Sequence, residues 1–425
     1  MSRRHRFMTI AAALAVAGFF PAGAFATNGY FAHGYGTHYK GMAGAGVALH
    51  LNTLAPGTNP AAMAFLGDRW DLGVAVFNPN RFYTVSGNPS GFPGTFGLVP
   101  GEVESESRYF PIPHLGANWT IGDTSSFGVA IYGNGGMNTD WPTATFYAGA
   151  PAGVDLSQLF VAPTYAVKLG GKHALGFTAI GAFQRFEAKG VGSFAPFSSA
   201  PTQLSDNDHS SSFGGGFRVG YLGELSPRFA VGGSYQTTIW MGEFDDYAGL
   251  FAEQGDFDIP STWVVGIAIK PTDRLTIALD VQQIRYSEIT SVGSPLLPNL
   301  MQAPLGADSG AGFGWEDMTT FKGGVELRTD GGWAWRAGYS HGEQPIPESE
   351  VLFNILAPGV QEQHITFGFS KALGESREIS FAIMRSFSEA IQGPNPLEVP
   401  GLQTIELKMD QWEFEISWSF GIRRK

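Results

Sequence analysis

The sequence predicts an all-β protein, a transmembrane antiparallel barrel of about 14 strands that encloses an N-terminal hatch. The first observation is composition: of 425 residues, 58 are glycine and 13% are aromatic, whereas only 26 are Lys or Arg. The second is a nearly continuous alternation of apolar and polar residues after Trp70, which is typical of strands. The third is an asymmetry of the connections, because tight turns join the predicted strands on one side and long loops on the other.

Residues 1–26 have the pattern of a secretory signal peptide. Three arginines precede a short apolar run, and Ala24-Phe25-Ala26 forms a small-x-small cleavage site. The apolar run is too short to cross a bilayer, which makes a membrane anchor the weaker alternative. The mature chain is therefore expected to begin at Thr27. Because the sequence contains no cysteine, it offers neither an acylation site nor a disulfide framework.

The formal net charge is −12, and loss of the signal peptide makes the mature chain more negative. An acidic chain without a basic cluster is not suited to binding nucleic acid. The outer face of the predicted barrel is instead expected to contact outer-membrane lipids, or detergent after purification.

Fourteen alternating segments follow the N-terminal region, and in the last of them Trp412, Phe414 and Ile416 alternate with Glu413 and Glu415. A soluble sandwich would have a Lys-rich outer face, so the scarcity of Lys and Arg favours lipid outside and a polar lumen. An even strand number is expected to place both termini on the periplasmic side. Four tryptophans near strand ends fit interfacial girdles: Trp119, Trp240, Trp333 and Trp418. The predicted strands are residues 68–86, 105–121, 125–135, 156–169, 174–187, 213–225, 229–240, 257–270, 275–289, 315–328, 333–344, 361–373, 378–389 and 405–422.

Residues 27–69 are rich in glycine and alanine and follow neither a helical nor a strand period. An irregular segment cannot lie in lipid, because its backbone N–H and C=O groups would be unpaired there. We therefore expect this segment to fill the lumen as a hatch, with the barrel formed by residues 70–425.

Several short motifs occur in a fixed order along the chain, and together they resemble the FadL-type outer-membrane transporters of long-chain fatty acids and aromatic hydrocarbons. The resemblance implies a monomeric fourteen-stranded barrel in the bacterial outer membrane, closed by a hatch, that passes hydrophobic molecules without an energy source. The motifs are Gly41-Met42-Ala43-Gly44-Ala45-Gly46, Asn59-Pro60-Ala61, Gly133-Asn134-Gly135-Gly136, Trp315-x-Asp317, Arg336-Ala337-Gly338-Tyr339 and Pro345-Ile346-Pro347.

A luminal ligand pocket beside the mature N-terminus is implied by the same resemblance. A buried carboxylate would need a cation, and strand parity directs three cations into the lumen. These cations could equally pair with luminal acids such as Asp280 and Glu326 in a structural network. The candidate residues of the pocket and hatch are Thr27, Asn28, Tyr30, Phe31, Asn59, Pro60, Ala61, Arg218, Lys322 and Arg336.

Two long loops are candidates for an external capture site for apolar solutes. One loop places four apolar side chains on one face at helical spacing, and the loop of residues 191–212 adds two phenylalanines. Both resemble loops that form an external groove in the family; the alternative is that they only pack against each other. The residues are Phe194, Phe197, Phe244, Tyr247, Leu250 and Phe251.

Gly133, Asn134, Gly135 and Gly136 interrupt a predicted strand. Glycines within strands often mark bulges or bends. In the family a kink here opens the barrel wall sideways to the membrane, and a flexible strand end is the alternative.

The sequence predicts no enzyme, no cofactor and no metal site. His33, His38 and His50 lack metal-ligand spacing. The competing functions are a general porin for hydrophilic solutes and, less favoured, an outer-membrane lipid hydrolase. The sequence leaves open which hydrophobic compound is carried.

Overall fold

The computed structural model of the protein describes residues 28–421. The predicted signal peptide, the candidate residue Thr27 and residues 422–425 lie outside the described part. Within that part, no helix is long and apolar enough to cross a membrane.

A single antiparallel sheet dominates the fold, and its neighbouring strands are mostly consecutive in the chain. Fourteen strands are long, whereas β2 and β9 are short pieces paired to β1 and β7. The strands are β1 Arg69–Ser86, β2 Gly101–Glu104, β3 Phe110–Ile121, β4 Ser125–Asn138, β5 Gly153–Leu169, β6 His173–Lys189, β7 Ser210–Ser226, β8 Phe229–Gln236, β9 Trp240–Met241, β10 Thr262–Ile269, β11 Leu275–Ile284, β12 Met318–Thr329, β13 Trp333–Gly342, β14 Gln363–Ala372, β15 Arg377–Pro394 and β16 Thr404–Phe420.

The helices of the described residues are short, with three to six residues each, and lie in the hatch and in the connections. The α-helical turns are α1 Thr37–Lys40, α2 Met63–Leu66, α3 Ala252–Gly255, α4 Thr290–Gly293 and α5 Asn299–Gln302. The 3₁₀ turns are Ala55–Gly57, Pro60–Ala62, Gly192–Phe197, Asp245–Tyr247, Tyr286–Glu288, Asp330–Gly332, Glu348–Glu350 and Phe353–Ile355.

The first and last strands close the sheet into a barrel. β1 pairs with β16 along nearly its whole length, from Trp70 opposite Phe420 to Ser86 opposite Thr404. Closure removes the free strand edges that a bilayer would not tolerate. The predicted fourteen-stranded barrel is confirmed.

The two faces of the barrel wall have opposite chemistry. On β16, Phe414 and Ile416 are 43% and 48% exposed on the outside, whereas Glu413 and Glu415 are buried in the lumen. The predicted alternation, apolar toward lipid and polar toward the lumen, is therefore confirmed.

The position of the described N-terminus corrects one expectation. β1 begins and β16 ends on the side of the short turns, as the even strand number requires. Asn28, however, accepts a hydrogen bond from Tyr286 in the long connection between β11 and β12. The hatch therefore begins near the long loops and reaches the short-turn side only at β1, because strand number does not determine the path of a luminal segment.

Candidate functional site

Residues 28–68 contact luminal side chains on several walls, which places this segment inside the barrel. Thr53 donates to Asp71 of β1 from its backbone N–H at 2.8 Å and from its hydroxyl at 2.7 Å. Asp280 of β11 accepts from the backbone N–H groups of Gly46 and Val47 at 2.7 and 2.9 Å. Buried backbone groups need such partners, so the wall supplies the hydrogen bonds that an irregular hatch cannot make itself.

The Asn59-Pro60-Ala61 motif attaches the hatch to one wall. Asn59 begins a 3₁₀ turn, where its side-chain oxygen accepts from Ala61 N at 3.1 Å. Its Nδ2 donates to the carbonyls of Val47 and Tyr221 at 2.7 and 2.8 Å. The motif lies against glycine in the wall, since a Cβ on Gly176 would come within 2.3 Å of Ala61 N. These contacts position the hatch.

Two of the three predicted luminal cations bind hatch carbonyls. Arg218 donates to Pro56 O at 2.7 Å and to Gln236 Oε1 at 2.5 Å. Lys322 donates to His33 O at 3.0 Å. Their contacts favour the structural alternative over ligand binding.

The third predicted cation, Arg336, is paired within the wall. Its guanidinium contacts Glu326 at 2.7 Å and donates to Ser370 Oγ at 2.7 Å. A buried cation with a carboxylate partner has little capacity left for a ligand, so Arg336 also fits the structural alternative.

Sequence reasoning missed the strongest charged contacts of the hatch. Lys40 forms ion pairs with Glu413 and with Glu415 of β16, the latter at 2.8 Å. His38 contacts Glu378 of β15 at 2.8 Å. The available signal was the pair of acids on the polar face of the last strand, which required a buried cation.

The first described residues form a tight turn in a cluster of aromatic rings. Asn28 and Phe31 exchange backbone hydrogen bonds of 3.0 and 3.2 Å. The Tyr30 ring lies 5.1 Å from Tyr286 and 5.7 Å from Trp315, centroid to centroid. Asn28, Tyr30 and Phe31 are thus buried in an apolar environment.

The barrel wall is interrupted beside this turn. Pairing between β3 and β4 ends at Leu115 opposite Ile131, although β4 continues to Asn138 along β5. The register along β5 shifts between Gly133 and Gly135. The glycine cluster therefore lies at a bulge within β4 and not at the end of the strand.

The hatch takes the place of β3 along the free edge of β4. Gly136 N donates to Tyr30 O at 2.9 Å, and Ala32 N donates to Asn134 O at 3.0 Å. A Cβ on Gly135 would lie only 1.8 Å from Tyr30 O, so glycine is required for this approach.

A small cavity of about 20 Å³ lies at the interruption. It lies between the hatch, at Ala32 and Tyr35, and the separated edges of β3 and β4, at Ile112 and Gly133. The structure thus brings the glycine cluster and the first hatch residues together at one place in the wall.

The two predicted capture loops are packed inward. Phe244, Tyr247 and Phe251 are buried, and their rings lie 5.5, 4.9 and 4.6 Å from that of Phe186. Leu250 is also buried. The predicted helical face is not one continuous helix, because the 3₁₀ turn Asp245–Tyr247 and α3 are separate turns.

The second loop is packed in a different place. Phe194 is buried against Phe96, Phe146 and Phe353, whereas Phe197 is 40% exposed. The candidates of the two loops therefore pack in separate places, and their buried rings contact mainly residues outside the candidate set.

Two carboxyl groups flank Phe257 at the edge of the aromatic cluster. Burial, followed by the charge of Asp258, raises the pKa of Asp256 to about 7. Burial also raises the pKa of Asp258, whose carboxylate accepts from Met241 N at 2.6 Å. In the described residues, no group of three or more His, Asp or Glu side chains is arranged to hold a metal ion.

Comparison with known proteins identifies relatives by sequence family and by fold. The sequence model of the family described as outer membrane protein transport protein (OMPP1/FadL/TodX) matches residues 13–392. A comparison with curated proteins finds no match.

Three solved structures with the same fold illustrate the similarity. The Pseudomonas putida toluene transporter TodX is 16% identical, with 92% of this chain and 100% of that chain covered and a TM-score of 0.69. A Pseudomonas aeruginosa FadL homologue is 15% identical, with 93% and 100% covered and a TM-score of 0.67. The Ralstonia pickettii toluene transporter TbuX is 18% identical, with 91% and 98% covered and a TM-score of 0.62.

Proposed function

Because the chain belongs to the OMPP1/FadL/TodX family of outer membrane transport proteins, we propose that it is a passive channel for hydrophobic small molecules in the bacterial outer membrane. The solutes are long-chain fatty acids or aromatic and aliphatic hydrocarbons. One monomeric barrel is sufficient, and the chain carries out no catalytic step.

The single observation that carries this proposal is the interruption between β3 and β4 beside the hatch. A hydrophobic solute gains about 25 cal/mol for each Å² of apolar surface that it removes from water. A side opening lets it pass from the lumen into the membrane without entering water again. The residues of this exit are Gly133, Asn134, Gly135 and Gly136, where β4 has no β3 partner and the hatch turn lies along its edge instead.

The luminal pocket of the proposed route lies beside Asn28, Tyr30 and Phe31. These residues are buried among aromatic rings and border the interruption, since Phe31 pairs with Gly135. Thr27 precedes them directly in the sequence. A solute reaching this cluster is therefore next to the exit.

Entry requires the outer loops to separate. Phe244, Tyr247, Leu250 and Phe251 are buried against each other and against Phe186, so in the proposed cycle their apolar surface becomes available to a solute when the loops part. Phe197, which is already 40% exposed, is the proposed first contact.

The filled lumen favours this function over that of a general porin, whose lumen is open to water.

The test of the proposed function compares uptake of hydrophobic solutes with ion conductance. Cells that lack other channels for hydrophobic compounds should take up dodecanoate or toluene faster when they express the protein. In planar bilayers, the intact protein should conduct ions poorly, and deletion of residues 27–66 should raise the conductance. Porin-like conductance of the intact protein without any gain in uptake would contradict the proposal.

A further inference from the structure

Three buried amide side chains form a row across the luminal face of neighbouring strands. Asn134 lies at the bulge of β4, Gln158 lies on β5, and Gln184 lies on β6 directly opposite Gln158. Each of the three is 0% exposed. A buried amide is costly without hydrogen-bond partners, and these three side chains serve as partners for one another. They are called the amide relay below.

The amide relay is a continuous chain of hydrogen bonds. Asn134 Nδ2 donates to Gln158 Oε1 at 3.0 Å, and Gln158 Nε2 donates to Gln184 Oε1 at 3.3 Å. At one end, the Tyr35 hydroxyl of the hatch donates to Asn134 Oδ1 at 2.9 Å. At the other end, Gln184 Nε2 donates to the carbonyl of Phe257 at 2.9 Å. The relay therefore connects the hatch with a long loop by way of the barrel wall.

All four hydrogen bonds of this chain run in the same direction. The carbonyl of Phe257 can only accept, so Gln184 turns its NH₂ group toward the loop and its oxygen toward Gln158. The same requirement then fixes the orientation of Gln158 and of Asn134. Hydrogen bonds in such a chain polarise and strengthen one another, so a loss at one end weakens the contact at the other.

The two ends of the relay lie at the entry and at the exit of the proposed route. Phe257 belongs to the aromatic cluster of the loops, and its ring lies 4.7 Å from that of Phe251. Asn134 lies at the interruption between β3 and β4, where its backbone carbonyl accepts from Ala32 N at 3.0 Å. Tyr35 lines the small cavity at the same place. A displacement of the loop at Phe257 is therefore felt by the hatch at the interruption.

We propose that the amide relay positions residues 28–36 of the hatch at the interruption and holds them there until the loops separate. When an apolar solute displaces Phe257, Gln184 loses its acceptor, and the relay no longer fixes the amide of Asn134 against Tyr35. The hatch segment then leaves the edge of β4. This inference rests on the proposed function and adds to it the way in which entry of a solute controls its exit.

A second contact links the same two regions and has to be separated from the relay. The ring of Tyr30 lies 6.1 Å from the ring of Phe257. Gln158 is the suitable site for this separation, because its hydrogen bonds go to Asn134 and Gln184. Its replacement breaks the relay in the middle and leaves both rings in place.

The test is a double-variant cycle of Tyr35→Phe and Gln158→Met, with amide hydrogen exchange of residues 255–259 measured in lipid nanodiscs. Tyr35→Phe removes one hydroxyl from the hatch and should accelerate exchange in this loop segment by about fivefold. Gln158→Met should have the same effect. The double variant should exchange no faster than Gln158→Met alone, because the hydroxyl no longer acts on the loop once the relay is broken. A purely structural role would instead make the two effects multiply.

Thr178→Val is the matched control. The Thr178 hydroxyl forms a hydrogen bond of 2.8 Å with Thr164 Oγ1 between the same two strands, β5 and β6, and both residues are buried. The variant removes a buried cross-strand hydrogen bond outside the relay and should exchange as wild type does in residues 255–259. Added to Tyr35→Phe, it should leave the effect of that variant unchanged.

Two results would overturn the relay: multiplying effects of Tyr35→Phe and Gln158→Met, or exchange in Tyr35→Phe equal to that of wild type. Heat-dependent migration in gels shows whether Gln158→Met is a folded barrel. If it is not, Gln184→Met replaces it in the same cycle with the same criteria. Toluene uptake by cells is measured in parallel. If cells with the wild-type protein take up no more toluene than cells without it, the proposed function fails, whereas the exchange rates decide on the relay alone.

Discussion

Lys40 of the hatch lies between two carboxylates of β16, Glu413 and Glu415. Glu415 also accepts a hydrogen bond from Thr37 at 2.6 Å. All four side chains are buried. Removing one partner of a buried ion pair leaves an uncompensated charge, which costs about 3–5 kcal/mol. The contact therefore holds the hatch to the last strand of the barrel.

Replacing Lys40 with methionine should lower the free energy of unfolding by about 3–5 kcal/mol, because two carboxylates lose their cation. Urea denaturation followed by gel migration measures this change. The triple variant Lys40→Met/Glu413→Gln/Glu415→Gln should recover a large part of the loss, since no buried charge then lacks a partner. An unchanged unfolding midpoint for Lys40→Met would show that the ion pairs do not hold the hatch.

Strand parity correctly predicted that Arg218, Lys322 and Arg336 face the lumen. It could not predict their partners, because the partners of Arg218 and Lys322 are hatch carbonyls whose position depends on the path of an irregular segment. Arg81 of β1 is also buried in the lumen, as strand parity requires, but the sequence pattern does not distinguish it from the other arginines. Its Nη2 has no hydrogen-bond partner among the described residues, which only the packed structure shows.

The hatch forms backbone hydrogen bonds with the barrel wall along the edge of β4. β3 carries Pro111 and Pro113 at the level where its pairing with β4 has stopped. Proline has no N–H to donate to a ladder, which fits an unpaired stretch. The hatch turn at Tyr30 supplies hydrogen bonds to Asn134 and Gly136 instead. The interruption is therefore closed by hatch backbone rather than by a strand.

Replacing Gly135 with alanine should displace the hatch from this edge, because the added Cβ would meet Tyr30 O at 1.8 Å. We expect faster amide hydrogen exchange in residues 28–32 and a loss of about 1–3 kcal/mol of stability. Gly181→Ala is a matched strand control, since its nearest contact would be Val161 O at 3.8 Å. Wild-type exchange in Gly135→Ala would show that the close approach to Tyr30 is not required.

The loop containing Asp256 should respond to pH. Its pKa of about 7 lies above the usual value for aspartate, so the packed loop favours the protonated form. The stabilising effect is complete below about pH 4 and is lost as the pH rises through about 7. Amide exchange in residues 244–258, corrected for intrinsic rates, should be faster at pH 8 than at pH 5. Asp256→Asn should remove this difference, and an equal pH dependence in that variant would assign it to another group.

The strands were predictable because alternation over a lipid-facing wall is a strong periodic signal. The predicted strand boundaries were wrong next to the long loops. The strand predicted for 257–270 begins at Thr262, because Phe257 belongs to the aromatic cluster of the loops. The strand predicted to end at Gly135 runs to Asn138, since pairing with β5 continues after the bulge. Local sequence does not contain these tertiary contacts.

At the scale of the whole molecule, the closed barrel and the luminal placement of residues 28–68 were predictable from the sequence pattern. Both follow from the need to pair every backbone group in a bilayer. The start of the hatch near the long loops was not predicted, because it depends on contacts such as that between Asn28 and Tyr286. This position brings the first hatch residues to the interruption in the wall, and the proposed lateral route depends on it.

Blocking the interruption tests the lateral route most directly. Because the chain has no cysteine, Gly133→Cys creates a single thiol on the stretch of β4 that has no β3 partner. Val129→Cys places the thiol on the same strand where β4 is paired on both sides, with Ala117 and Pro163. Each variant is labelled in cells with a bulky methanethiosulfonate reagent, and uptake of dodecanoate is measured before and after reduction. Labelled Gly133→Cys should take up no more than cells without the protein and should recover after reduction, while labelled Val129→Cys transports normally. Normal uptake by fully labelled Gly133→Cys would contradict passage through the wall.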